Sequence, residues 1–186
     1  LEDLDVFIPV FPEMYRAKLL RAFVYKELGD EKRQLIDLNE VLDVQPGNPD
    51  LLRMRAAIYL QQEEFKKAKE DLEIAKSLQD DSETEVYLGV AHYNLGDLDS
   101  ALFCINRSIE MDATYMPAYL YAGSFCLQED QYQLGLQYLN LALRLEPKNT
   151  SALFYKGVAL VELKKIEQGC SCLAKAFYNG EDDAGG

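Results

Sequence analysis

Histidine is nearly missing: His92 is the only one among 186 residues. A Ser/His/Asp triad or a histidine-based metal site therefore has almost nothing to build on. Cysteine is sparse and poorly spaced for a metal or redox centre. The four are Cys104, Cys126, Cys170 and Cys172, and no CxxC occurs. Cys170 and Cys172, two apart on a helix, point to different faces. Each of the four lies in an apolar helical pattern, where a free thiol acts as a small hydrophobe. A disulfide framework belongs to much shorter secreted chains, so cysteine usage favours a reducing, cytoplasmic compartment. There is no Gly-rich phosphate loop. No apolar run approaches the roughly 18–20 residues of a membrane span, and no signal peptide is visible at residue 1. Basic residues are also short, with 19 Lys plus Arg against 32 Asp plus Glu, a net charge of −13. That balance repels phosphate backbones and anionic membrane surfaces. A basic protein partner would be steered in. Neither a cofactor, a metal nor a catalytic group is expected, so the chain does not read as an enzyme.

What is present is repetition. The segments YLGVAHYNLGDLDSAL (87–102), YAGSFCLQEDQYQLGL (121–136) and YKGVALVELKKIEQGC (155–170) follow one another at 34-residue intervals. The same register extends back to residues 55–70 and 21–36, with one residue missing near the end of the former. Five units result: 15–48, 49–81, 82–115, 116–149 and 150–183. One column reads Ala22, Ala56, Gly89, Gly123, Gly157, all small. A second reads Leu38, Leu72, Ile105, Leu139, Leu173, all apolar. A third reads Val41, Ala75, Ser108, Ala142, Ala176, mostly small. Each unit holds two stretches with apolar residues at 3- and 4-residue spacing, the helical period. Short polar turns such as Gly29-Asp30 and Gly96-Asp97 join them, which forces antiparallel packing. Helix stoppers such as residues 45–49 and 146–149 separate the units. No stretch reads as a strand.

This pattern resembles the tetratricopeptide repeat (TPR) family over residues 15–183. The resemblance is carried by Leu88-Gly89, Tyr25, Tyr59, the Gly-Asp turns, Ala68, Ala101, Pro46 and Pro147. It implies an all-α, right-handed superhelical solenoid of tandem antiparallel helix hairpins. There are departures. His92, Cys126 and Leu160 replace an aromatic. Arg21, Arg55 and Lys156 replace Leu. Asp80, Ala113 and Glu181 replace the terminal Pro. These are expected to loosen individual repeats without threatening the fold. Residues 1–14 fit the tail of a preceding partial repeat, with Leu4 in the Leu38 column and Pro12 in the Pro46 column. Pro9 favours a short helix ending near Phe7 and then extended chain. At the other end GEDDAGG (180–186), and 184–186 above all, reads as a flexible tail. Leu173 and Phe177 have no visible cap after them.

The resemblance also implies where a ligand would sit: on a concave groove lined by the first helix of each hairpin. Its positions are Leu20, Tyr87, Tyr121 and Tyr155, with Leu120 and Phe154 just before, Phe23, Val90 and Val158 after the small column, and Tyr93 beyond. Such an apolar lining is unusual for a solvated surface. Tyrosine offers a large apolar face and one hydroxyl at low entropic cost. An apolar peptide segment or amphipathic helix of a partner protein is the expected ligand. The alternatives are that these residues are simply core, or that Phe7, Ile8, Val10 and Phe11 of the chain itself fill the groove. Lys26 and Arg53 alone cannot rebuild the carboxylate clamp that some family members carry. His92 reads as a packed core residue. The acidic runs 80–83 and 181–183 read as solvated turns. A binding scaffold or adaptor is the first functional expectation. Self-association as a homo-oligomer through the C-terminal hairpin, or a regulatory part of a larger protein, are the alternatives.

Overall fold

The structure, a computed structural model, describes Leu4, Ile8 and residues 14–183. Ten complete helices run through the described residues, which contain no strand. They divide into two compact units at Asp80/Asp81.

The first unit contains α1 (Tyr15–Glu27), α2 (Glu31–Val44), α3 (Pro49–Gln61) and α4 (Phe65–Leu78). Helix starts follow local chemistry. The Asp30 carboxylate accepts the Arg33 backbone N–H at the head of α2. Asn48 accepts from Asp50 and Leu51 at the head of α3, where Pro49 occupies the first turn. Both caps satisfy amide groups that have no partner inside the helix. Helix α1 packs on α2 and α3 on α4. Ala22, Leu38, Val41, Leu42, Leu51, Leu52, Ile58 and Ala75 form the core between them.

The second unit contains α5 (Ser82–Asn94), α6 (Leu98–Met111), α7 (Met116–Gln128), α8 (Tyr132–Leu145), α9 (Thr150–Glu162) and α10 (Ile166–Asp183). Asp81, Asp97 and Asn149 cap α5, α6 and α9. Val86, Ala101, Ile105, Ala118, Ala122 and Phe125 form one buried cluster, and Met116, Tyr119, Leu139, Ala142 and Ala152 the next. The small column marks helix crossings. A Cβ placed on Gly123 would lie 2.7 Å from Leu139 Cγ, and one on Gly157 2.6 Å from Leu173 Cγ.

Every hairpin turn uses one device. The residue after the first helix's cap is left-handed: Gly29 and Gly96, but also Glu63, Asp130 and Lys164, with φ between 58° and 83°. The next amide then bonds back across the turn, as in Asp30 N–H to Tyr25 O at 2.9 Å and Gln131 N–H to Cys126 O at 2.7 Å. This closure satisfies carbonyls at the helix end and fixes the antiparallel return.

Two expectations need correcting. Residues 180–183 are the end of α10, not tail. Arg21 and Arg55, read as loosening their repeats, are bound. Arg21 donates two hydrogen bonds of 2.8 Å to Asp37. Arg55 donates two of 2.7 Å to Asp71 and a third, from Nη1, to Asn39 at 2.8 Å. A bidentate guanidinium–carboxylate pair is among the stronger polar contacts available between helices. A second pairing recurs with its charges exchanged. Lys18 on α1 meets Glu40 on α2 at 2.9 Å, whereas Glu85 on α5 meets Arg107 on α6 at 3.3 Å. Of the N-terminal expectations, Leu4 and Ile8 are helical and Ile8 is buried. The helix end at Phe7, the extended piece and the groove-filling Phe7, Val10 and Phe11 lie outside the described residues, as does the tail 184–186.

Candidate functional site

The predicted lining falls into two groups, one in each unit. In the first, Leu20 and Phe23 on α1 are 55% and 44% exposed. They stand clear of the core cluster that Leu19 packs against.

The second unit holds the rest: Tyr87, Val90 and Tyr93 on α5, Leu120 and Tyr121 on α7, and Phe154, Tyr155 and Val158 on α9. Tyr87, Tyr121 and Tyr155 are neither buried nor free, but intermediate. Tyr121 packs against the Val86/Ile105/Phe125 cluster together with Val90 and Tyr93, and Tyr155 and Leu120 against the Met116/Leu139 cluster. The tyrosines are electrostatically within reach of one another along the unit. Burial holds the Tyr87 hydroxyl far above the usual tyrosine range, helped by the Glu83 carboxylate and Tyr115. Burial also raises Tyr121, with a further contribution from Tyr155. The alternative that these residues are simply core is half right. Their ring bodies pack inward while part of each side chain stays at the surface.

Tyr93 shows how the face is built. Its ring stacks on Phe125 of α7 with centroids 4.2 Å apart and planes 7° from parallel. Phe125 is buried and in turn tilts against Tyr121 at 6.1 Å. The Tyr93 hydroxyl donates to Glu129 Oε1 at 3.1 Å. Burial first and this hydrogen bond second push its pKa up to about 12. Glu129 caps α7, a helix with no basic residue in its last turn. Phe125 was absent from the predicted lining. Its column otherwise holds Val24, Ile58, Ala91 and Ala159. Nothing in that spacing says that an aromatic here would brace its neighbour's tyrosine.

At the last hairpin, Phe154 and Phe177 are 50% and 63% exposed. With Tyr155, Leu173 and Ala176 they line a cleft of about 440 Å³. The equivalent Leu120 and Leu143 of the preceding hairpin pack against the Met116/Leu139 cluster instead.

The residues set aside for chemistry occupy quiet places. His92 Nδ1 lies 3.4 Å from Asp97 Oδ2, at the turn into α6. Cys104 and Cys126 are buried, Cys172 is partly exposed and Cys170 exposed, all with free thiols. No group of three or more His, Cys, Asp or Glu side chains among the described residues could hold a metal ion. Among the same residues, no helix is long and apolar enough to cross a membrane. Arg53, a candidate clamp residue, is buried and bonded to Asp50 of its own helix.

Residues 88–115 match the tetratricopeptide repeat family. Over 154 residues, 83% of this chain, the sequence is 23% identical to tetratricopeptide repeat protein 6 of Homo sapiens. Over 150 residues, 76% of the chain, it is 25% identical to the anaphase-promoting complex subunit CDC16 of Saccharomyces cerevisiae. The chain spans 30% and 18% of the lengths of these two relatives. In fold it is similar to TTC0263, a thermophilic TPR protein of Thermus thermophilus. The TM-score is 0.81 at 18% identity, over 91% of this chain and 93% of that one. These matches and the repeated helix hairpins define an all-α helical-repeat protein. The chain is similar to tetratricopeptide repeat proteins, and residues 88–115 carry one such repeat.

Proposed function

We propose that this chain is a protein-binding scaffold that takes an apolar segment or helix of a partner on the first-helix face of its second unit. The observation that carries this reading is the half-buried tyrosine series Tyr87, Tyr121 and Tyr155, set on three successive first helices with Tyr93 stacked on Phe125 beside it. Half-buried aromatic rings are held in place by the core and still present apolar area, so little entropy is lost when a ligand covers them. Leu20 and Phe23 offer a similar exposed surface on the first unit. The likeness to CDC16, by name a subunit of a complex, is consistent with a role in assembly. The fold itself does not choose a partner.

The test is affinity capture from native extract by the chain and by a Tyr87→Ala/Tyr121→Ala/Tyr155→Ala variant whose helicity matches by circular dichroism. Partners held by the parent and lost from the variant support the tyrosine face. Identical partners on both place the binding surface elsewhere.

A second reading is favoured by the cleft at Phe154 and Phe177: self-association through the C-terminal hairpin. Sedimentation over a range of concentrations decides it. A mass that rises with concentration, and stops rising in Phe177→Asp, supports a homo-oligomer. A constant monomer mass removes it.

A further inference from the structure

In the second unit few bases lie on the first helices. The first helices α5, α7 and α9 carry Glu83, Glu85 and Glu162 against a single base, Lys156. The other bases of that unit, Arg107, Arg144, Lys148, Lys164, Lys165 and Lys175, lie on second helices or in turns. This is no general habit of first helices in the chain. In the first unit α1 and α3 carry Arg16, Lys18, Arg21, Lys26, Arg53 and Arg55 against Glu27 and Asp50.

Two carboxylates stand among the tyrosines. The Glu83 carboxylate lies one helical turn before Tyr87 and adds to the rise of its hydroxyl pKa. Glu129 accepts from the Tyr93 hydroxyl at 3.1 Å and is exposed. Glu85 is not a third, because it is buried against Arg107. Glu129 sits on the carbonyl end of α7, where the helix dipole adds negative potential to its charge. Its partner there is a tyrosine hydroxyl, not a lysine or arginine. Asp130 beside it accepts from the Tyr132 hydroxyl. The Tyr93 ring whose hydroxyl reaches Glu129 is stacked on Phe125, with Phe125 buried and Tyr93 half-buried. An aromatic face next to a carboxylate is the surface that a lysine or arginine head group fits. The ring quadrupole attracts the cation, the acid neutralises it, and the apolar stem lies along the rings.

We propose that the ligand of the second unit's tyrosine face is a segment carrying a lysine or arginine among apolar side chains, with its cation held at the Tyr93–Phe125–Glu129 corner. This rests on the tyrosine-face reading above and adds the sign of the ligand's charge. An acidic or carboxylate-terminated segment would meet Glu83 and Glu129 with no arginine or lysine in the lining to receive it.

Random peptides displayed on phage are selected on the full chain, with a parallel selection on the Tyr87→Ala/Tyr121→Ala/Tyr155→Ala variant. Peptides recovered on the parent and not on the variant combine apolar residues with lysine or arginine. For one such synthetic peptide, replacing its base by glutamine weakens binding roughly five- to tenfold, the scale of an exposed cation–aromatic contact plus an ion pair. Glu129→Gln in the chain, folded by circular dichroism, removes the ion pair alone and costs roughly two- to fivefold. The two changes together cost little more than the peptide change alone, and affinity falls as salt rises. Tyrosine-dependent peptides that are neutral or acidic, or an affinity indifferent to Glu129→Gln, overturn the charge inference and leave the tyrosine face standing. Peptides that bind the triple variant as well as the parent overturn both.

Discussion

Arg55 grips Asp71 through two hydrogen bonds of 2.7 Å, side chain to side chain across the α3–α4 hairpin. One repeat earlier Arg21 grips Asp37 in the same register. In the second unit the same two columns hold Leu88 with Cys104, Ala122 with Tyr138 and Lys156 with Cys172. One fold position thus takes a matched ion pair in the first unit and apolar pairs in two of the three hairpins of the second. Asp71→Ala leaves a partly buried guanidinium without its carboxylate and should cost about 2–4 kcal/mol in urea unfolding. The double variant Arg55→Leu/Asp71→Ala should recover much of that loss, because it recreates the apolar option. If the double variant is as unstable as the sum of the two single ones, the pair is not the unit of design.

The left-handed turn residue gives a second outcome. Lys164 has φ 62° with a side chain that opposes it. Lys164→Gly should raise stability by about 1 kcal/mol. Gly96→Ala should lose a similar amount. A Cβ at Gly96 meets nothing within 4 Å, so any loss there belongs to the backbone alone. Paired thermal melts check both signs.

Gly123 tests the crossing of α7 and α8. Its absent Cβ would fall 2.7 Å from Leu139 Cγ, and Leu139 is fully buried. Gly123→Leu should therefore overpack the crossing and cost about 1–3 kcal/mol in thermal or urea unfolding. An unchanged midpoint would mean that the two helices are not held this close.

Acid sensitivity should localise to a helix cap. Hydrogen bonds from Ser100 chiefly, and then the neighbouring His92, hold the Asp97 carboxyl below the ordinary aspartate value of 3.8. Because the folded value is the lower one, the contribution is complete above the unfolded pKa and disappears as pH falls through the folded one. Asp97→Asn keeps a capping oxygen and cannot titrate. It should match the parent near neutral pH and lose less of its melting temperature on acidification, as followed by circular dichroism. An identical acid limb in both proteins would place the titrating groups elsewhere.

Helix content and hairpin order were legible in the sequence because they rest on local rules. Apolar period, Asp and Asn caps, and turn residues such as Gly29 and Gly96 act within a few residues of themselves. The small column was legible too, since a crossing admits only Ala or Gly whatever surrounds it. Arg21 and Arg55 were misread. A single column cannot show that a charge in an apolar position has Asp37 or Asp71 waiting sixteen residues on, and the pair is visible only when both columns are read together.

The candidate site divides along the same line. Sequence alone determined that Tyr87, Tyr121 and Tyr155 recur at one register position, and that the chain has one histidine and four scattered cysteines. Only tertiary structure decided how far each ring is buried, that Phe125 braces Tyr93, and that Glu129 meets a hydroxyl on a helix 36 residues away in sequence. The physical reason is range. Periodicity and capping are properties of neighbours along the chain, whereas burial and charge pairing depend on which surfaces the packed hairpins bring together.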